Sequence, residues 1–147
     1  MKIQLMGLVA LLLSTTAALA DGQQMTVHKD PNCGCCAAWA DLAEDAGYEV
    51  KLIDSADLAA TKERLGVPDE FWSCHTVEVD GYVIEGHVPF DALARLLAER
   101  PAVQGIAVPG MPEGSPGMGD DPAARYDVIA WGKDAGDGAL FQRMGAK

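Results

Sequence analysis

Three patterns in this 147-residue sequence predict an α/β domain. Tyr48-Glu49-Val50-Lys51-Leu52 alternates apolar and polar residues, as a half-buried strand does. Trp39, Leu42, Ala43 and Ala46 recur at i, i+3, i+4 and i+7, which draws one apolar stripe along a helix. Two short β-rich runs, 76–79 and 82–85, flank Asp80-Gly81. That dipeptide favours a type I′ turn and so a hairpin.

The elements follow in order. Residues 25–29 read as a short strand, with Met25 and Val27 on one side, broken by Asp30-Pro31-Asn32. The helix over 35–46 stops at Gly47, which tolerates the left-handed conformation that ends helices. After the strand at 48–52, Asp54 or Ser55 caps a second helix that runs to Leu65 and is ended by Gly66 and Pro68. The hairpin comes next. Pro89 then opens a third helix with Phe90, Leu93 and Leu97 on its inner face, stopping before Pro101. Residues 105–119 form a Gly/Pro loop with Met111 and Met118 near its ends. Strands at 126–131 and 139–143 make a further hairpin around the Asp/Gly run 133–138, which is too short and irregular for an EF-hand loop. The order β-α-β-α-β-β-α is that of the thioredoxin-like fold, here with a C-terminal Pro/Gly loop and an added β-hairpin. Its strand–helix–strand start gives a parallel pair. Trp39, Trp72 and Trp131 are expected in the core.

Residues 1–20 carry one charge, Lys2, then an apolar run, and close on Ala18-Leu19-Ala20. This is a secretory signal peptide, with an apolar run too short to remain as a membrane span. Residues 21–147 form a single domain, long enough to bury a core. The formal charge is −11, with no basic stripe, so nucleic acid is excluded as a partner. The sequence has no P-loop, serine triad or internal repeat. Export implies an oxidising compartment, where four cysteines could simply form two disulfides.

Three of those cysteines crowd into Asn32-Cys33-Gly34-Cys35-Cys36, and the fourth stands in Ser73-Cys74-His75-Thr76. In the expected fold the first cluster lies at the N-terminus of the first helix, where free N–H groups favour thiolate. The loop entering the third strand packs against the same helix start, which returns Cys74 and His75 to the cluster. Cys33 and Cys36 have the C-x-x-C spacing of a redox dithiol, so a periplasmic thiol–disulfide oxidoreductase is one reading. Cys35 fits that role poorly, because it competes for disulfides with both neighbours. Soft thiolates with a borderline imidazole favour Cu(I) or zinc over hard cations. Adjacent Cys35 and Cys36 suit bridging of several Cu(I) ions better than one tetrahedral ion. His87, before the third helix, approaches the site as a ligand or from behind one. His28 is expected to be solvated or behind the ligands. Met111 and Met118 offer thioethers, soft ligands for Cu(I).

These motifs together resemble the CopG-like family of exported copper-resistance proteins. The matching stretches are Cys33-Gly34-Cys35-Cys36, Ser73-Cys74-His75-Thr76, the run from Gly81 to Pro89, and Val108-Pro109-Gly110-Met111-Pro112 through Met118. Tyr126-Asp127-Val128 also fits. Phe71-Trp72 is bulkier than the pattern expects. The resemblance implies a thioredoxin-like fold, a periplasmic location and a multi-copper cluster that cycles between Cu(I) and Cu(II). Carried over, Cys33, Cys35, Cys36 and Cys74 are its ligands, with His75 and His87 as further candidates. The partners implied are copper ions and periplasmic copper efflux or redox proteins.

Overall fold

A computed structural model describes residues 22–145; the signal peptide expected over 1–20 lies outside them. Seven strands form one sheet in the order β2-β1-β3-β4-β5-β6-β7. They are β1 Gln24–Lys29, β2 Glu49–Asp54, β3 His75–Val79, β4 Tyr82–Glu85, β5 Gly105–Ala107, β6 Tyr126–Trp131 and β7 Ala139–Met144. The helices are α1 Gly34–Asp45, α2 Leu58–Leu65 and α3 Phe90–Glu99. The β1–β2 and β4–β5 pairs are parallel and the other neighbours antiparallel.

Strand alternation sorts the side chains onto two faces. Met25, Val27, Val77, Val79, Ile84, Ile106, Val128 and Ala130 pack with Trp39 and Ala43 of α1 and with Ala92, Leu93 and Leu96 of α3. Val83, Ala107 and Trp131 face the other way, against Val67 and Phe71 in the segment that follows α2. The central strands are therefore covered on both sides, whereas the edge strands β2 and β7 stay largely exposed.

Several expectations need correction. The α1 stripe is Cys36, Trp39, Ala40 and Ala43, whereas Leu42 is 40% exposed. Cys36, Trp39, Ala40 and Ala43 follow the i, i+3, i+4, i+7 spacing, so the buried face is turned away from Leu42. The cap of α2 is neither Asp54 nor Ser55 but Asp57, whose Oδ1 accepts from Ala60 N at 3.0 Å. Asp54 still belongs to β2, where its carboxylate meets Lys29 Nζ at 2.9 Å.

The loop expected from Gly105 begins later. Residues 105–107 are β5, which joins β6 and β7 to the sheet rather than leaving an appended hairpin. Gly105 permits this because a Cβ there would lie 2.0 Å from the Val83 carbonyl oxygen and 2.5 Å from Trp131 Cη2. A three-residue strand opening on glycine has no readable periodicity. The hairpin at Asp80-Gly81 has φ 48° and 83°, as a type I′ turn requires.

Candidate metal centre

The site forms at one end of the sheet, where the start of α1, the start of β3 and the end of β4 meet. Cys33 is the N-cap of α1, and its Sγ accepts from Cys36 N at 3.3 Å. This uses one of the free N–H groups at the helix start. Cys33 and Cys36 are joined as a disulfide, with Cα atoms 5.4 Å apart. Cys35 and Cys74 are free thiols. Cys35 Sγ lies 3.5 Å from Cys33 Sγ, and Cys36 Sγ lies 3.4 Å from the Cys74 carbonyl oxygen. All four sulfurs fall within 4.8 Å of one another. Cys74 thus returns to the three-cysteine loop across 38 residues of sequence, and of the two disulfides that four cysteines allow, one is formed.

A second grouping shares Cys74. Its Sγ, with one ring nitrogen each of His75 and His87, also lies within 4.8 Å. His87 Nε2 is 2.9 Å from Cys74 Sγ, and His75 Nδ1 is 3.5 Å from it. On its far side, His87 Nδ1 meets the Pro116 carbonyl at 2.7 Å. A carbonyl only accepts, so Nδ1 carries the proton and Nε2 presents its lone pair to Cys74. A backbone partner of this kind fixes the tautomer and orientation of metal-binding histidines. His75 is fully buried, wedged between Trp39 and His87 with ring centroids 4.9 Å apart on both sides. Among the described residues its Nε2 has no hydrogen-bond partner.

Burial sets the charge state. It holds the His75 imidazole well below its ordinary range, helped by His87 and then by Lys62. Burial also lowers His87, against the Pro116 carbonyl, which favours the charged ring. Both rings are therefore neutral at pH 7, the form that binds metals. Burial, then Cys35, pushes the Cys74 thiol up to about 12. Cys74 is thus protonated until a cation displaces that proton.

The Pro/Gly segment after β5 covers the site. Gly117 packs so closely that a Cβ would lie 2.8 Å from the Cys35 carbonyl oxygen and 3.0 Å from Trp39 N. Met118 is half-buried beside it, and Met111 is 54% exposed. The Gly110 carbonyl, next to Met111, accepts from Ser73 Oγ. His28 is neither solvated nor in either grouping: it is 8% exposed, with Nε2 2.9 Å from Glu78 Oε1. Its side chain leaves the sheet on the face away from His75.

Two solved structures, both titled copper resistance protein CopG, match over nearly their whole length. Form 1 is 39% identical, covers 86% of this chain and 100% of its own, and gives a TM-score of 0.78. Form 2 is 40% identical, covers 84% and 98%, and gives 0.77. The chain belongs to the CopG family of copper resistance proteins. Residues 71–118 also match a family described as "Protein of unknown function, DUF411", a span holding Cys74, His75, His87 and both methionines. No curated protein matches.

Sequence reading missed three residues that support the site. Pro116 orients His87 through its carbonyl, and a backbone acceptor carries no side-chain signal. Lys62 and Glu85 form a buried ion pair behind the Cys74 loop. In sequence both look like solvent-facing charges.

Proposed function

We propose that the protein binds Cu(I) as its cargo, several ions at a time, in a thiolate cluster of Cys33, Cys35, Cys36 and Cys74. Its role is copper resistance and homeostasis, with interchange of Cu(I) and Cu(II) as its redox activity. His75 and His87 complete the donor set, and Met111 and Met118 are thioether ligands at its mouth. The observation that carries this reading is the convergence of four sulfurs within 4.8 Å, two of them on adjacent residues. Soft sulfur donors beside neutral imidazoles fit Cu(I) by ligand type. The CopG relatives, titled copper resistance proteins, support the same cargo.

Loading needs the Cys33–Cys36 disulfide opened by a dithiol reductant. Two electrons and two protons convert it to two thiols, and Cu(I) then displaces thiol protons as it binds. His87 holds its Nε2 toward the metal, while Trp39 and the Pro/Gly segment keep the buried face of the cluster dry.

The domain spans 21–147 and works in the periplasm after the signal peptide over 1–20 is removed. Among the described residues no helix is long and apolar enough to cross a membrane. Its fold is thioredoxin-like, which the run β1-α1-β2-α2-β3-β4-α3 supports. Its protein partners are periplasmic copper efflux or redox proteins.

The formed Cys33–Cys36 disulfide favours a second reading, a thiol–disulfide oxidoreductase. The variant Cys35→Ser separates the two. A cluster loses copper when Cys35 is replaced, whereas a dithiol enzyme keeps both its disulfide exchange and its metal content. Unchanged copper loading in Cys35→Ser, with insulin-type disulfide reduction intact, establishes the oxidoreductase instead.

A further inference from the structure

Lys62 and Glu85 are charged, buried and unused by any step above. Lys62 is 3% exposed and Glu85 is fully buried. They meet on the sheet face opposite His75, with Lys62 Nζ 2.5 Å from Glu85 Oε1. Lys62 also donates to Thr76 Oγ1 at 2.8 Å, and Thr76 Oγ1 donates to Glu85 Oε2 at 2.7 Å. A buried ion pair of this kind is seldom retained for stability, since apolar residues of similar volume often serve as well.

What distinguishes this pair is its remaining bond. Glu85 Oε1 also accepts from Ser73 N at 2.6 Å. Ser73 immediately precedes Cys74, and its hydroxyl donates to the Gly110 carbonyl beside Met111. Gly86 closes the arrangement, because a Cβ there would lie 2.5 Å from Ser73 Oγ and 2.7 Å from the Val108 carbonyl oxygen. The carboxylate thus reaches from the end of β4 to the backbone of the Cys74 loop, and through Ser73 to the methionine loop.

We propose that Glu85, held in place by Lys62 and Thr76, is a positioning residue that fixes the Ser73-Cys74 loop so that Cys74 Sγ meets the other three sulfurs. This rests on the copper-binding reading for its consequence but not for its geometry. Lys62 supplies the counter-charge that keeps the carboxylate an acceptor inside the protein. The loop has no helix or strand hydrogen bonds of its own at Ser73 N, so this side chain replaces them.

Two double variants test it. Lys62→Met with Glu85→Gln removes both charges but keeps an oxygen to accept from Ser73 N. Lys62→Met with Glu85→Leu removes the charges and the acceptor. The first is expected to hold Cu(I) near the wild-type affinity. The second is expected to fall roughly 10- to 100-fold, as loss of a ligand-orienting partner does. Affinity is read by competition with a chromogenic Cu(I) chelator.

Iodoacetamide labelling of Cys74 in the metal-free, reduced protein, followed by peptide mass spectrometry, reads the loop position without copper. Labelling is expected to speed up in the Leu variant alone. Equal affinities and equal labelling rates in the two double variants would overturn the proposal. If the Leu variant does not fold, single Glu85→Gln decides: unchanged Cys74 labelling supports positioning by the acceptor oxygen, and labelling as fast as in unfolded protein overturns it. A wild-type protein that fails to bind Cu(I) overturns the copper reading and leaves the labelling result standing.

Discussion

The His87 ring is held from both sides. Pro116 takes the proton side of the ring and Cys74 faces the lone pair, 2.9 Å away. Cys74 belongs to both the sulfur and the imidazole groupings, so it is the position whose loss costs most. Cys74→Ser should lower the copper bound per chain sharply, while His75→Ala should lower it less, because water or a methionine sulfur can replace an imidazole. Metal analysis after anaerobic loading checks both, and a larger loss in the histidine variant would reverse this ranking.

The titrating groups add a pH dependence. His75 and His87 lie below their ordinary value of 6.5 in the folded chain, so the unfolded chain binds protons that the folded one refuses. Their contribution to stability is therefore present above about 6.5 and is lost as pH falls below it. Thermal melts of the metal-free protein should show falling stability from pH 7 toward pH 5. Melts that rise over that interval would contradict the neutral assignment of the rings. Cu(I) affinity should rise with pH, because binding releases the proton held by Cys74.

At the scale of elements, the N-terminus of α1 and the covering Pro/Gly segment make the site together. Gly117 sits at φ 84°, with the Cys35 carbonyl and Trp39 N against it. Gly117→Ala should lift the segment, pull Pro116 from His87 and weaken Cu(I) binding, with the sheet intact by circular dichroism. Gly105→Ala should act on the sheet instead. Its Cβ would strike the Val83 carbonyl, a backbone atom that has nowhere to go, and overpacking of this kind costs about 1–3 kcal/mol or more. Chemical denaturation measures it, and an unchanged midpoint would mean that β5 shifts freely.

The contrast between these elements explains what could be read in advance. The hairpin at Asp80-Gly81 and the stop at Gly47 were legible because their residues carry local conformational signals. The return of Cys74 was legible once the order of elements was read as a thioredoxin-like fold, in which the loop entering the third strand packs on the first helix start. The strand at 105–107 was not, being three residues long and opening on a glycine whose side is filled by Trp131. The α2 cap went to Asp57 because β2 runs two residues further than its alternation suggests. Lys62 and Glu85 were hidden for a different reason. A charge is read as exposed unless its partner is known, and theirs lies 23 residues away on another element.

The described residues form one seven-stranded sheet, its central strands covered on both faces, with the sulfur and imidazole groupings at one end. Its formal charge of −11 favours long-range attraction of cations. The sheet is continuous from β2 to β7, so the site is supported by both the hairpin β3–β4 and the strands beyond it. Removal of bound Cu(I) by a chelator should lower the thermal midpoint, since a ligand that binds only the folded chain stabilises it.

Preference for several Cu(I) ions over one zinc is measured by a metal titration of the fully reduced protein, purified anaerobically and loaded first with zinc. Added Cu(I) is expected to displace the zinc, with more than one Cu(I) retained per chain. One zinc per chain, undisturbed by competing Cu(I), would contradict it.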